Sequence, residues 1–84
     1  MKAALLDYQG AADFLGCSRS LVNDLALAAE RAAEIKAGAR KIEDVPPRLR
    51  PYLDSGFPVP KRVGRRLMRI DPAALQAYVE RGNL

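Results

Sequence analysis

The stretch AADFLGCSRSLV, residues 11–22, contains the end of one helical segment and the beginning of another, separated by only a few residues. Asp7 can cap a first helix over about residues 8–15, and Gly16 stands where a helix commonly ends, because glycine adopts the left-handed conformation without strain. Ser18 can cap a second helix by accepting a hydrogen bond from an amide of its first turn. Two helices joined by a tight turn are therefore expected. The apolar side of the first helix consists of Ala11, Ala12 and Leu15.

The second helix is expected to be long. Apolar residues recur at helical spacing through the alanine-rich segment LALAAERAAEIKA until Gly38 ends the pattern. This spacing predicts a helix of about twenty residues that starts after Ser18. A short helix, a tight turn and a second helix form a helix-turn-helix candidate, in which the second helix presents its N-terminal residues outward. The recurring apolar positions are Leu21, Leu25, Ala28, Ala32 and Ile35.

The outward residues at the start of the second helix have side chains of the types that contact DNA. Arg19 can bridge a guanine edge, Asn23 can bridge an adenine edge, and Ser20 can bond a phosphate. The alternative is that Ser18 and Ser20 only cap the helix while Arg19 and Asn23 are ordinary solvated positions. The helical pattern alone leaves both interpretations open.

A proline-rich connector follows the second helix. Residues 39–60 contain five of the six prolines, so at most one short helix is expected there. Asp44 could cap this helix and Pro46 or Pro47 could open it, since proline lacks only a donor that a first turn leaves unused. The residues expected to face inward are Leu49, Tyr52 and Leu53.

The apolar period then changes to two in the segment KRVGRRLMRIDP, residues 61–72. This alternation predicts two short strands, about 61–63 and 67–70, which close on a turn at Gly64 and Arg65. A two-residue turn would project Arg65 and Arg66 away from the body of the protein. The apolar residues expected to anchor the hairpin to the core are Val63, Leu67 and Ile70.

A last helix is predicted from Pro72 to about Arg81. Asp71 stands at the cap and Pro72 at the first helical position, which is the order that favours a helix start. The residues expected on its inner face are Leu75, Tyr78 and Val79.

The composition limits the classes of function. A chain of 84 residues forms one domain, and about 60% of its surface is buried on folding, so no deep catalytic cleft is expected. The chain has no histidine and a single cysteine, Cys17, whereas catalysis needs convergent acid, base or nucleophile partners. We therefore expect no enzyme activity, no cofactor and no metal site, and a reduced, cytoplasmic protein without a membrane segment.

The positive charge is concentrated in the C-terminal half. Residues 1–44 carry six basic and seven acidic side chains, whereas residues 45–84 carry eight basic and three acidic ones. The two halves thus have net charges of 6 − 7 = −1 and 8 − 3 = +5. An asymmetric basic pole is typical of proteins that bind nucleic acid, although a solvated face gives the same count.

Two blocks in this order resemble a known family. AADFLGCSRSLV, residues 11–22, is similar to the helix-turn-helix of the excisionase, AlpA and MerR-like DNA-binding domains. GFPVPKRVGRRLMRIDPAALQAYV, residues 56–79, resembles their wing and final helix. The resemblance implies a mainly α fold with a small β-hairpin, a single winged helix-turn-helix domain over residues 1–84. Relative to that family, the second helix is extended and a proline-rich insertion, about residues 26–56, precedes the wing.

The resemblance also implies roles for individual residues. In this family the second helix enters the major groove, and the wing lies over the backbone or in the adjacent minor groove. The groove residues would be Ser18, Arg19, Ser20 and Asn23. The wing residues would be Lys61, Arg62, Gly64, Arg65, Arg66 and Arg69.

The long second helix offers a surface for self-association. Leu27 lies on the opposite side of this helix from Leu21, and Arg31 and Glu34 follow toward its end. The alternative for Leu27 is that it packs under residues 45–55.

The family divides into small proteins that differ in biological role. The favoured expectation is an excisionase, a recombination directionality factor that bends double-stranded DNA and assists an integrase in prophage excision, bound to the nucleoid. The alternatives are a small AlpA-type transcriptional regulator and a protein-interaction module such as an anti-repressor.

Overall fold

The protein is mainly helical, with one small antiparallel hairpin. The computed structural model describes residues 5–63 and 67–81. In these residues the β structure consists of one two-stranded antiparallel sheet and a single bridge that extends it. This confirms the predicted mainly α fold with a small hairpin. The elements are α1 (Tyr8–Leu15), α2 (Arg19–Lys36), β1 (Lys61–Val63), β2 (Leu67–Arg69) and α3 (Pro72–Glu80), with 3₁₀ turns at Ile42–Asp44 and Arg50–Tyr52 in the connector.

Helix boundaries follow local side-chain chemistry. The Asp7 carboxylate accepts a hydrogen bond from the Gly10 amide at 2.6 Å, and the Ser18 hydroxyl accepts one from the Leu21 amide at 3.1 Å. These bonds satisfy amides that have no partner within the helix. Gly16 ends α1 with φ 70°, in the left-handed region that glycine tolerates. Asp71 caps α3 in the same way, through the Ala73 amide at 2.9 Å. The predicted caps Asp7, Ser18 and Asp71 are confirmed.

The main core lies between the three helices. Alanines at the contact between α1 and α2 let the two helices approach closely, because a methyl side chain takes up little space between the backbones. Helix α3 closes this core with Tyr78, whose ring meets Phe57 edge to face at 5.1 Å between centroids. The buried cluster comprises Ala11, Ala12, Val22, Leu25, Ala26, Ala29, Phe57, Ile70, Leu75 and Tyr78.

The hairpin is attached to the N-terminal segment through backbone hydrogen bonds. Leu6 and Ile70 form an antiparallel bridge, with N to O distances of 2.8 and 2.7 Å in the two directions. The Ile70 side chain is fully buried, which confirms its predicted role of anchoring the hairpin to the core. The pairing of Leu6 was not predicted, because a single bridged residue leaves no periodic pattern in the sequence. The strand register pairs Lys61 with Arg69, Arg62 with Met68 and Val63 with Leu67.

Two predicted core positions are exposed. Val63 is 41% exposed, and the other two residues of β1 are exposed as well, so no element covers this strand. Val79 is 37% exposed, because the neighbouring Tyr78 takes the core-facing position and the next residue lies about 100° further around the helix. Both predictions of burial were wrong. The predicted turn at Gly64 and Arg65, the exposed position of Arg66 and the Leu67 side chain lie outside the part of the chain that the structure describes.

The connector does not form the helix predicted at Pro46 or Pro47. Asp44 ends a 3₁₀ turn instead of capping a helix. The Arg50 side chain donates to the Val45 carbonyl at 3.1 Å, so it bonds a group that a regular helix would have paired with an amide. The inward orientation of Leu49, which is fully buried, is confirmed. A second hydrophobic cluster lies between the connector and α2. This second cluster comprises Ala28, Val45 and Leu49, with Leu27, Ile35, Tyr52 and Leu53 packed against it.

Gly10 lies inside α1, where alanine would ordinarily be about 1 kcal/mol more favourable. A Cβ atom at Gly10 would stand 3.1 Å from the Asp7 carboxylate oxygen that accepts from its own amide. We therefore expect Gly10→Ala to change the free energy of unfolding little, because the gain in helix propensity is offset by disturbance of a cap worth about 1 kcal/mol.

Urea denaturation of four proteins, the wild type, both single variants and Gly10→Ala with Asp7→Ala, tests this coupling. In the Asp7→Ala background, Gly10→Ala should recover about 1 kcal/mol. An equal gain in both backgrounds would show that the Asp7 cap and Gly10 are independent.

Candidate nucleic-acid interface

The N-terminal part of α2 presents polar side chains to solvent. Ser18, Arg19, Ser20 and Asn23 are all exposed. Ser18 also caps α2, so the capping role proposed for it from the sequence is real. Arg19, Ser20 and Asn23 share one shallow depression of about 330 Å³, which Tyr8 and Asp24 complete. The structure thus brings three of the four residues predicted on this helix into one concave surface.

Tyr8 forms part of this depression and was missed by the sequence analysis. It is the first residue of α1, and its half-buried side chain lines the depression together with residues of α2. Burial raises the pKa of the Tyr8 hydroxyl; the Glu30 carboxylate also raises it, while the Arg62 guanidinium lowers it. The hydroxyl is therefore neutral at physiological pH and can both donate and accept a hydrogen bond. Only the packing of α1 against α2 identifies this position.

The hairpin lies beside one edge of α2. The Arg62 guanidinium stands 3.7 Å from the Glu30 carboxylate of α2, and Lys61 stands 3.8 Å from Asp71. Such exposed pairs contribute less than about 1 kcal/mol, so both cations can exchange their carboxylates for phosphates at small cost. Arg69 donates to the Met68 carbonyl at 3.0 Å. Gly64, Arg65 and Arg66, which were predicted to lie at the tip, are outside the described residues.

The connector supplies a cation to the other edge of α2. The Arg48 guanidinium lies 3.9 Å from the Asp24 carboxylate and its side chain is 65% exposed. Asp24 and Glu30 are six residues apart, which places them about 120° apart around the helix axis. Ser20 and Asn23 project between these two directions, and Arg19 projects about 20° beyond the direction of Glu30. The exposed start of α2 is therefore flanked by Arg62 on one side and by Arg48 on the other.

The position of Arg48 results from the second cluster. Val45 and Leu49 are fully buried against Ala28 of α2, so the segment between them is held close to the helix. The sequence did not identify Arg48, because the course of a proline-rich connector depends on these distant contacts.

The charges in this region are arranged in pairs, with one exception. Asp24, which lines the depression, and Glu30 each face an arginine, so neither is an isolated negative charge. Arg19 forms no ion pair with any residue in the described ranges. Its guanidinium thus remains available to an acceptor from outside the protein.

The residues predicted for self-association lie further along α2. Leu27 is half-buried and packs against the second cluster, as the alternative interpretation of this residue predicted. Glu34 bonds Arg31, and Arg40 stands 3.0 Å from its second carboxylate oxygen. The hydrogen bond from Arg31 is the main cause that lowers the pKa of Glu34. Self-association through Leu27, Arg31 and Glu34 stays a prediction.

Residues 5–63 and 67–81 include no cluster of three potential metal ligands among their cysteine, aspartate and glutamate side chains. In the same residues, no helix has both the length and the apolarity needed to cross a membrane. Searches of the family models, the curated proteins and the solved structures find no match to this chain.

Proposed function

We propose that this protein is a winged helix-turn-helix protein that binds double-stranded DNA. The observation that carries the proposal is the exposed start of α2, which stands between two basic edges. A major groove about 12 Å wide admits one α-helix, and the backbones beside it present phosphates to groups that flank the helix. Arg62 and Arg48 flank α2 in this manner.

The proposed roles follow from the chemistry of each side chain. Arg19 reads a guanine edge and Asn23 an adenine edge, since each can form two parallel hydrogen bonds there. Ser20 and Tyr8 bond backbone oxygens beside them. The wing cations contact phosphates or the adjacent minor groove; these are Lys61, Arg62, Arg65, Arg66 and Arg69.

DNA bending is the proposed mode of action. A single domain of this size covers about 600 to 1,000 Å² on DNA, which is too little for high specificity alone. Several copies on adjacent sites are therefore expected, and cations on one side of the duplex favour a bend toward the protein. This is the activity of an excisionase that assists an integrase, and we propose it ahead of a simple transcriptional regulator. No catalytic role is proposed.

The proposal is tested in two steps. Selection from random duplexes at low salt should recover a preferred site, and titrations at several salt concentrations should give a negative slope of log K against log[salt]. Circularly permuted probes with one and then several copies of the site should show a bend that grows with occupancy. Absence of duplex binding at low salt would overturn the DNA-binding proposal. Independent binding without a bend would leave DNA binding intact but favour the regulator.

The position of Arg48 beside α2 provides a further test of the proposed DNA binding. We expect Arg48→Ala to weaken binding to all duplexes and to reduce the salt slope by about 0.9, the effect of one lost phosphate contact. Arg40→Ala is the matched control, because it removes the same charge from a residue that pairs with Glu34 at the far end of α2. Equal effects of the two substitutions would show that only the net charge matters.

A further inference from the structure

An apolar groove runs along the C-terminal half of α2, where the connector crosses the helix. Two adjoining depressions of about 400 and 210 Å³ share Ala32, Lys36 and Leu53. Ile42 lines one of them and Val59 the other, and each of these side chains is 52% exposed. A continuous apolar surface is thus left open to solvent in the described part of the protein.

A single aromatic side chain is exposed elsewhere on the described surface. Phe14 is 46% exposed on the outer face of α1, whereas the other four aromatic residues are buried or half-buried. Asp13 lies beside Phe14, also exposed, and its carboxylate accepts a hydrogen bond from Gln9 at 3.0 Å. An aromatic side chain next to a carboxylate is thus available for contact.

The two surfaces have opposite charge. Residues 5–18, which include α1, contain two acidic side chains and no basic ones, a net charge of −2. The side chains that line the groove include two basic ones and one acidic one, a net charge of 2 − 1 = +1. Lys36 and Arg50 line the groove itself, beside one carboxylate, Asp54.

We propose that the groove binds Phe14 of a second copy of this chain, with Asp13 of that copy facing Lys36 and Arg50. Because the two contacting surfaces are different, the contact is heterologous and leaves a free Phe14 at one end of a pair and a free groove at the other. Further copies can then add in the same direction. The contact concerns the protein alone and does not rest on the proposed DNA binding.

The groove and the exposed start of α2 do not overlap. Successive residues of a helix are about 100° apart around its axis. By this spacing, the groove residues of α2 project from a different side than Arg19 and Asn23. These groove residues are Ala29, Ala32 and Lys36. One copy can therefore use both surfaces at once. One aromatic side chain and its rim bury well below the roughly 1,000 Å² of a stable interface, so the association is expected to be weak, with a Kd of about 1 mM in solution.

Two variants that each lose one surface test the proposal without DNA. Phe14→Glu removes the aromatic side chain and leaves the groove intact. Ala33→Glu places a carboxylate in the groove, at an exposed helical position that glutamate tolerates, and leaves Phe14 intact. Val79→Glu is the control, because it introduces the same charge at an exposed apolar residue of α3 that belongs to neither surface. Far-UV circular dichroism checks that all three variants fold.

Sedimentation equilibrium over protein concentrations up to about 1 mM is the first measurement. We expect the average mass of the wild type and of Val79→Glu to rise with concentration, and each of the other variants to weaken association roughly 30-fold, as for an important interface residue. An equimolar mixture of Phe14→Glu and Ala33→Glu should form pairs and nothing larger. In the mixture, labelled Ala33→Glu should show NMR shift changes at Asp13, and labelled Phe14→Glu at Lys36 and Leu53.

Three results would overturn the proposal. A wild type that stays monomeric throughout the concentration range shows that the groove does not bind Phe14. Association that Ala33→Glu leaves unchanged shows a contact elsewhere. A mixture that forms no pairs shows that the two surfaces do not meet each other. None of these results bears on whether the protein binds DNA.

Discussion

Arg19→Ala and Asn23→Ala should each reduce affinity for the selected DNA site by about 1 to 3 kcal/mol, while binding to unrelated duplex changes much less. The reason is geometric: both residues project from the first turns of α2 into the same depression, and Arg19 has no carboxylate partner among the described residues. A base contact is lost only where that base is present, so the effect is confined to the specific site. Competition titrations with selected and scrambled duplexes measure both affinities.

The control for this experiment is Gln76→Ala. Gln76 is an exposed polar residue of α3 that bonds Glu80 at 3.1 Å and takes no part in the depression. Its substitution should leave both affinities unchanged. If Arg19→Ala lowered specific and nonspecific binding equally, Arg19 would contact phosphate and would not read a base.

Ile70→Ala should lower the free energy of unfolding by about 2 to 5 kcal/mol, the loss expected when a fully buried large aliphatic side chain is truncated. Ile70 is completely buried in the main cluster and its backbone bridges Leu6. A chain of this length has a total stability of only about 4 to 13 kcal/mol, so this single change removes a large share of it. Urea denaturation followed by circular dichroism measures the loss.

Two further variants keep this test informative if Ile70→Ala does not fold. Ile70→Val removes one methylene and should cost about 0.5 to 1.5 kcal/mol. Val63→Ala, in the same hairpin but 41% exposed, should stay within about 0.5 kcal/mol of the wild type. Hydrogen exchange at the Leu6 amide should quicken in Ile70→Val, because that amide bonds the Ile70 carbonyl. A cost at Ile70 no larger than at Val63 would contradict its place in the core.

The sequence by itself determined the starts and ends of the helices. Asp7, Ser18 and Asp71 cap the helices that follow them, and Gly16 ends α1. Each of these interactions joins atoms within about four residues along the chain, so its chemistry is complete in a short stretch of sequence. The exposure of the first residues of α2 also followed, since helical spacing assigns the apolar positions to one side.

Only the tertiary structure decided which surfaces cover one another. An apolar residue is buried only when another element lies over it, which is why Leu49 is buried and Val63 is not. The placement of Arg48 beside Asp24 depends on residues 24 positions apart being brought together by the second cluster. Periodicity describes one element at a time, whereas the two basic edges of α2 arise from the packing of separate elements. For that physical reason the hairpin and α2 were predicted from sequence, while the position of the connector beside α2 was not.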